Sequence, residues 1–227
     1  MIFAIGDLHL DNTGEKPMDI FGDNWLNHEK QIIDNWKSTV GDNDLVLLPG
    51  DISWGLRLEE AYEDLMKIEV LPGKKIIVKG NHDYWWESLK KLKNLEFKTI
   101  NFLQNNSFVH DGVGIVGTRG WSAIDGNNCD PQDQKIFNRE LNRLKLSLDS
   151  LKDNVENTIA VLHYPPFNSD GSTNEFVDIM KEHNVHICIY GHLHSEGHNY
   201  IVEGMVQGIE FHCISSDYID FVPKKIL

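Results

Sequence analysis

Apolar residues run along this chain in two rhythms. Ile2 to Ile5, Leu45 to Leu48, Lys75 to Val78, Val113 to Val116, Ile159 to Leu162 and His186 to Tyr190 are short runs rich in Val, Ile and Leu. Runs of that kind predict strands covered on both faces, as in a largely parallel sheet. Between several of them the apolar positions recur at helical spacing. Leu58, Ala61, Tyr62, Leu65 and Met66 predict a helix continuing to Glu69, and Leu71-Pro72-Gly73 breaks it before the next strand. Asp23 is the expected cap of a helix through Ser38, with Leu26, Ile33, Trp36 and Val40 on its inner face. Phe137, Leu141, Leu144, Leu148, Leu151 and Val155 predict a long helix. That stripe is too short for a coiled coil and is read as packing against a sheet. Strands alternating with helices define an α/β fold.

The chain has 227 residues, of which 41% are hydrophobic. That suits one domain over residues 1–227. No repeat, low-complexity tract or linker interrupts it. No long apolar stretch predicts a membrane span, and the opening Met-Ile-Phe-Ala-Ile lacks the flanks of a signal peptide, so a cytoplasmic protein is expected. Cys129, Cys188 and Cys213 are odd in number and lack CxxC spacing. They suggest neither a disulfide framework nor a thiolate metal site, and are read as small neutral residues.

Asp and Glu outnumber Lys and Arg by 35 to 21, for a net charge of −14. Apart from Lys90-Lys91-Leu92-Lys93 there is no basic run, and a nucleic acid backbone is disfavoured as a partner. A small anionic substrate stays compatible, because bound cations make a local pocket positive inside an acidic protein.

The chemistry lies where the apolar runs end. Ile2 to Ile5 leads into Gly6-Asp7-Leu8-His9, and Leu45 to Leu48 leads through Pro49 into Gly50-Asp51. Lys75 to Val78 leads to Gly80-Asn81-His82-Asp83, Ile159 to Leu162 to His163, and His186 to Tyr190 to Gly191-His192-Leu193-His194. Parallel sheets bind ligands beyond the carboxyl ends of their strands, so these clusters are expected to converge. Any one of them alone is commonly just a turn; in order after five strands they point to one site. Carboxylate, imidazole and amide oxygen donors suit Mn, Fe or Zn. Asp7 and His9 lie two apart in an expected extended segment and so share a face, as do His192 and His194.

This ordered set resembles the calcineurin-like metallophosphoesterase superfamily, whose pattern runs Asp-x-His, Gly-Asp, Gly-Asn-His-Asp/Glu, His and Gly-His-x-His. Every part is present, across nearly the whole chain. The resemblance implies a four-layer sandwich of two central mixed β-sheets flanked by α-helices, with two divalent or trivalent transition metal ions at the strand ends. It assigns Asp7, His9 and His194 to one metal, Asn81, His163 and His192 to the other, and Asp51 to both. It implies hydrolysis of a phosphodiester or phosphomonoester by a metal-bridging hydroxide, with His82 as general acid to the leaving oxygen.

Arg119, in Gly117-Thr118-Arg119-Gly120-Trp121, has two readings, a contact to substrate phosphate or an ion pair. Asp83 has no assigned role. Trp54, Tyr84, Trp85, Trp86 and Trp121 lie near the motif loops, and packing is the expected use of each. His28, His110, His183, His186, His198 and His212 are read as ordinary histidines, His198 being nearest to a motif.

The phosphoprotein phosphatase members continue Gly-Asp through two residues into Asp-Arg-Gly. Here Gly50-Asp51 continues Ile52-Ser53-Trp54-Gly55, which favours the phosphodiesterase-like branch. Two alternatives share the fold: a non-catalytic metal-binding scaffold, against which the complete motif set argues, and a nuclease, against which the charge argues. A small phosphorylated substrate is expected, no membrane partner is, and nothing specifies an oligomeric state.

Overall fold

The computed structural model describes residues 1–124, 130–152 and 154–227. In chain order its elements are β1 (Ile2–Ala4), α1 (His28–Thr39), β2 (Leu45–Leu48), α2 (Leu58–Glu69), β3 (Lys74–Ile77), α3 (Leu89–Lys93), β4 (Ile100–Phe102), β5 (Phe108–His110), β6 (Val113–Thr118), α4 (Pro131–Ser150), β7 (Asn157–Leu162), α5 (Glu175–Glu182), β8 (Ile187–Tyr190), β9 (Gly204–Val206), β10 (Ile209–Cys213) and β11 (Lys224–Lys225).

The strands form two sheets, ordered β11-β1-β2-β3-β4 and β5-β6-β7-β8-β10-β9. Within the first, β1 to β4 are parallel and β11 pairs antiparallel with β1. Within the second, β6, β7, β8 and β10 are parallel, and the edge strands β5 and β9 run antiparallel to their neighbours. All eight parallel strands therefore carry their following loops to one end of the molecule.

The unbroken apolar runs are explained by the two faces they cover. Ile2, Ala4, Leu45, Leu47 and Ile76 point from the first sheet into a central core, where they meet Ile115, Ile159, Val161, Ile187 and Ile189 of the second. The alternate residues Phe3, Val46, Leu48 and Ile77 point outward under Ile32 and Trp36 of α1 and Leu65 of α2. On the far side Val116, Ala160, Leu162, Cys188 and Tyr190 pack beneath Phe137 and Leu144 of α4 and Phe176 of α5. The result is the four-layer sandwich of helices, two sheets and helices. Each large aliphatic side chain buried in this way contributes about 1.5–3 kcal/mol of transfer free energy, so a polar residue on either face of these strands would be costly.

Two helices differ from their expected bounds. Asp23–Trp25 form a separate 3-10 turn, Asn27 adopts a left-handed conformation at φ 55°, and the first long helix starts only at His28. Trp25 turns inward instead, its ring edge-on to His9 at 5.9 Å and to Phe221 at 5.1 Å, which leaves Leu26 outside and breaks the helix before it. Helix α4 is capped by Asp130, whose side chain accepts a hydrogen bond from Gln132 N at 2.8 Å. It ends before Leu151, which is extended, so Val155 of the expected stripe lies beyond it. Cys188 and Cys213 are buried free thiols, while Cys129 falls outside the described residues. Among the described residues no helix is long and apolar enough to cross a membrane.

Candidate metal centre

The loops after β1, β2, β3, β7 and β8 bring Asp7, His9, Asp51, Asn81, His163, His192 and His194 together at the carboxyl ends of the strands. The local backbone is not extended. Asp7, His9, Asp51 and His192 have φ of 57°, 46°, 51° and 73°, so Asp7 with His9 and His192 with His194 do not face one way by strand alternation. They converge because the chain turns sharply as each strand stops. A left-handed conformation is uncommon for residues other than glycine and costs on the order of 1 kcal/mol or more. Here the cost is offset by hydrogen bonds between loops, from Asp7 N to Gly50 O at 3.0 Å and from His9 N to Asp51 O at 2.9 Å.

Asp83 ties two of these loops together from beneath. Its carboxylate is fully buried and accepts from Gly80 N at 2.7 Å, Asp51 N at 2.9 Å, Ile52 N at 2.9 Å and Trp85 Nε1 at 3.0 Å. Two glycines leave room for the carboxylates of Asp51 and Asp7. A Cβ at Gly80 would lie 2.1 Å from Asp51 Oδ1, and one at Gly191 would lie 2.3 Å from Asp7 Oδ2.

The donor atoms form two overlapping sets. Asp7, His9 and His194 place one atom each within 4.8 Å of one another, as do Asp7, Asp51 and His163. Asn81 Oδ1 sits 2.6 Å from His163 Nε2 and 3.0 Å from His192 Nδ1. Asp51 Oδ2 is 3.8 Å from His9 Nε2 and 3.6 Å from His163 Nε2. The other ring nitrogen of His163 is 2.9 Å from Pro49 O, which fixes the ring and leaves Nε2 facing the cluster.

The electrostatics of the cluster follow from burial and close opposite charges. Burial, followed by the nearby carboxylates of Asp83 and Asp7, pushes the Asp51 carboxyl well above the usual range. Asp7 is held far below it: burial opposes this, but His194, His163 and His9 prevail. Burial, with His163 second, lowers the His192 imidazole to about 3, and burial also holds His9 and His163 below the ordinary value. Neutral imidazoles of this kind are the form that ligates metals. For His194 burial is outweighed by Asp7 and Asp217, which raise it to about 10. Its Nε2 is buried without a hydrogen-bond partner and faces Asp7 Oδ1 at 3.6 Å, beyond hydrogen-bond reach. An orphaned nitrogen beside a carboxylate, among neutral histidines, fits a bound divalent cation.

Asp217 is the site residue that motif reasoning misses. Its Oδ1 lies 2.7 Å from His194 Nδ1, and its Oδ2 accepts from Ser195 N at 3.2 Å and lies 3.3 Å from His198 Nε2. No motif marks it in the sequence. It arrives through the loop after β10, whose backbone joins the first motif loop where Ser216 N donates to Gly6 O at 3.1 Å.

His82 lies at the edge of the cluster, its backbone N donating to Asp51 Oδ1 at 2.8 Å. Burial, with His163 second, holds its imidazole below the ordinary value. The Trp54 ring stacks on His9 at 4.9 Å and approaches His82 at 4.6 Å, so it walls the centre. Trp85 is buried in the core, Trp86 Nε1 donates to Gln104 Oε1 at 3.1 Å, and Tyr84 is exposed. Arg119 points away from the motif residues: its guanidinium sits 4.4 Å from the Trp121 ring and 3.6 Å from the buried Glu140. Only its backbone serves the centre, Arg119 O accepting from His163 N at 3.1 Å. His28 Nε2 is 3.2 Å from His9 O, and the remaining non-motif histidines apart from His198 lie outside the cluster.

The family model described as calcineurin-like phosphoesterase matches residues 1–196, and the chain belongs to that family of metallophosphoesterases. It is similar to an uncharacterised protein of Methanocaldococcus jannaschii, 22% identical over 143 residues that make up 62% of this chain and 70% of that one. Among solved structures, phosphopantetheinyl hydrolase from Mycobacterium tuberculosis superposes with a TM-score of 0.63 at 14% identity, covering 100% of this chain and 95% of that one. A protein of unknown function from Aquifex aeolicus superposes with a TM-score of 0.51 at 20% identity, covering 99% and 94%. At these identities the two structures share the fold.

Proposed function

We propose that this chain hydrolyses a small phosphoester at a two-metal centre. Asp7, His9 and His194 would hold one cation, Asn81, His163 and His192 would hold the other, and Asp51 would serve both. The observation that carries this reading is the place of Asp51 Oδ2, 3.8 Å from His9 Nε2 and 3.6 Å from His163 Nε2, one histidine of each set. Oxygen and imidazole donors suit Mn, Fe or Zn. Bound there, the cations supply Lewis acidity that acidifies a water and offsets charge on the phosphoryl oxygens.

The chain's own groups do the rest. Asn81 Oδ1 lies 2.6 Å from His163 Nε2 and 3.0 Å from His192 Nδ1, and these three residues would form the floor on which a phosphoryl group lies. His82 acts as the general acid to the leaving oxygen. Burial, with the neighbouring His163 second, disfavours its charged form, and the negative charge of a bound phosphoester favours it, so substrate supports the protonated ring. Trp54, stacked beside it, restricts the ring and excludes water. The −14 net charge favours a small substrate over a polyanion, and a cytoplasmic setting is consistent with this reading.

The test is hydrolysis of bis(p-nitrophenyl) phosphate and p-nitrophenyl phosphate by Mn-loaded protein, with and without chelator. Release of p-nitrophenolate that chelation abolishes is expected. His82→Ala should lower the rate by about 10²–10⁴-fold on a phenyl ester and by less on the p-nitrophenyl ester, whose leaving group needs little protonation. Failure of metal-loaded protein to cleave either ester overturns the reading.

A further inference from the structure

Beside the metal centre lies a hollow of about 530 Å³ that shares His192 with it. It is walled by Tyr164, Phe167, Leu193, Tyr200, Ile201 and Val202. The Tyr164 ring lies 4.1 Å from that of His192, so the hollow opens directly off a proposed metal ligand. Its size falls within the range of about 300–1,000 Å³ typical of small-molecule sites.

The lining has a definite chemistry. Among the described residues Asp170 is its one acidic residue, and neither lysine nor arginine lines it. The carboxylate of Asp170 accepts from Ser172 N at 2.9 Å. Polar groups on the wall are largely spoken for: Asn168 Nδ2 donates to Ser172 Oγ at 3.0 Å, and Asn199 Nδ2 donates to Glu196 O at 3.0 Å. Lys79, Arg119 and Arg143 face a different hollow together with Glu140, where Arg143 Nη1 is 2.7 Å from Glu140 Oε1, and Lys16 Nζ lies 4.9 Å over the Trp54 ring, on the His82 side of the centre. A substituent carrying further phosphate groups would find no counter-charge beside His192, and would meet Asp170.

We propose that this hollow receives the organic group of the ester, and that the substrate class is phosphoesters of an uncharged, partly apolar or aromatic alcohol of up to nucleoside size. The inference rests on the phosphoesterase reading for its phosphoryl position, but the hollow's preference is measurable without turnover. Tyr200 and Val202 set that preference by contact with the organic group, and neither belongs to the metal centre.

The experiment has two arms. In the first, Mn-loaded protein is given p-nitrophenyl phosphodiesters whose second ester group is methyl, phenyl, thymidin-5′-yl or 3′-phosphothymidin-5′-yl. The phenyl and thymidinyl esters should exceed the methyl ester in kcat/KM by about tenfold or more, and the added 3′-phosphate should reverse the gain. Tyr200→Ala and Val202→Asp should remove the preference chiefly through KM, lowering the phenyl and thymidinyl esters far more than the methyl ester. In the second arm, calorimetry compares binding of thymidine 5′-monophosphate with methyl phosphate to the same proteins. Equal kcat/KM for methyl and aromatic esters, or variants that weaken every ester alike, overturns the inference. Selective binding of the thymidine ligand, lost in the variants, with no hydrolysis of any ester would uphold the hollow and sink the phosphoesterase reading instead.

Discussion

Asp217 Oδ1 stands 2.7 Å from Nδ1 of His194, so the last motif histidine is oriented by a carboxylate that no motif contains. The same carboxylate reaches Ser195 N and His198, and it holds the imidazole with Nε2 turned toward Asp7. Carboxylates behind ligating histidines typically change metal affinity by about 10–100-fold when removed. Asp217→Asn is expected to weaken Mn binding within that range, read by competition with a chromophoric chelator, with circular dichroism unchanged. Unaltered affinity would show that His194 is held in place by other contacts.

Asp83 should matter to the fold as much as to the chemistry. Its carboxylate satisfies donors from Gly80, Asp51, Ile52 and Trp85 inside the protein, and each donor left unpaired costs about 1–3 kcal/mol. Asp83→Ala is expected to lower unfolding free energy in urea by at least about 3 kcal/mol, together with loss of metal binding. His82→Ala, one residue away, should lower stability by no more than about 1.5 kcal/mol through loss of its ring contact with Trp54, while activity falls. The contrast between these neighbours separates a positioning residue from a catalytic one.

Gly80 tests the tightness of the centre. An alanine Cβ there would fall far inside van der Waals contact with Asp51 Oδ1, and the Asp51 carboxylate would have to move. Gly80→Ala is therefore expected to abolish hydrolysis and weaken metal binding by more than Asp217→Asn does. Metal titration by calorimetry reads the difference.

Trp54 stacks on His9 at 4.9 Å and lies 4.6 Å from His82. Ring pairs of this kind are worth about 0.5–1.5 kcal/mol beyond their buried area. Trp54→Ala is expected to lower kcat up to about tenfold while metal stoichiometry stays the same. A pure KM effect would instead make Trp54 a substrate wall.

Much of the architecture was legible in the pattern of the chain. Unbroken runs such as Leu45 to Leu48 marked strands covered on both faces, and the donors after them marked the end where the site forms. The strand Ile209–Cys213 was overlooked because it alternates: Ile209, Phe211 and Cys213 are buried while Glu210 and His212 are half-buried, a rhythm distinct from the unbroken runs. The two-residue strand Lys224–Lys225 has no apolar signal at all, being held by backbone pairing with Phe3 and Ala4. Asp217 was invisible for a related reason, since only the register of the loop after β10 against Gly6 brings it to His194. The turns at Asp7, His9 and His192 run against the extended backbone their spacing suggests, because the local sequence does not reveal where pairing between loops bends the chain. Helix α1 began late for a tertiary reason too, the burial of Trp25 against His9.

The most direct test of the central claim is the metal content and turnover of wild-type protein beside Asp51→Asn. The account expects about two metal ions per wild-type chain, fewer in the variant, and a loss of at least about 100-fold in hydrolysis of bis(p-nitrophenyl) phosphate, close to 3 kcal/mol. Undiminished turnover by Asp51→Asn at unchanged metal content would contradict a shared carboxylate between two cations.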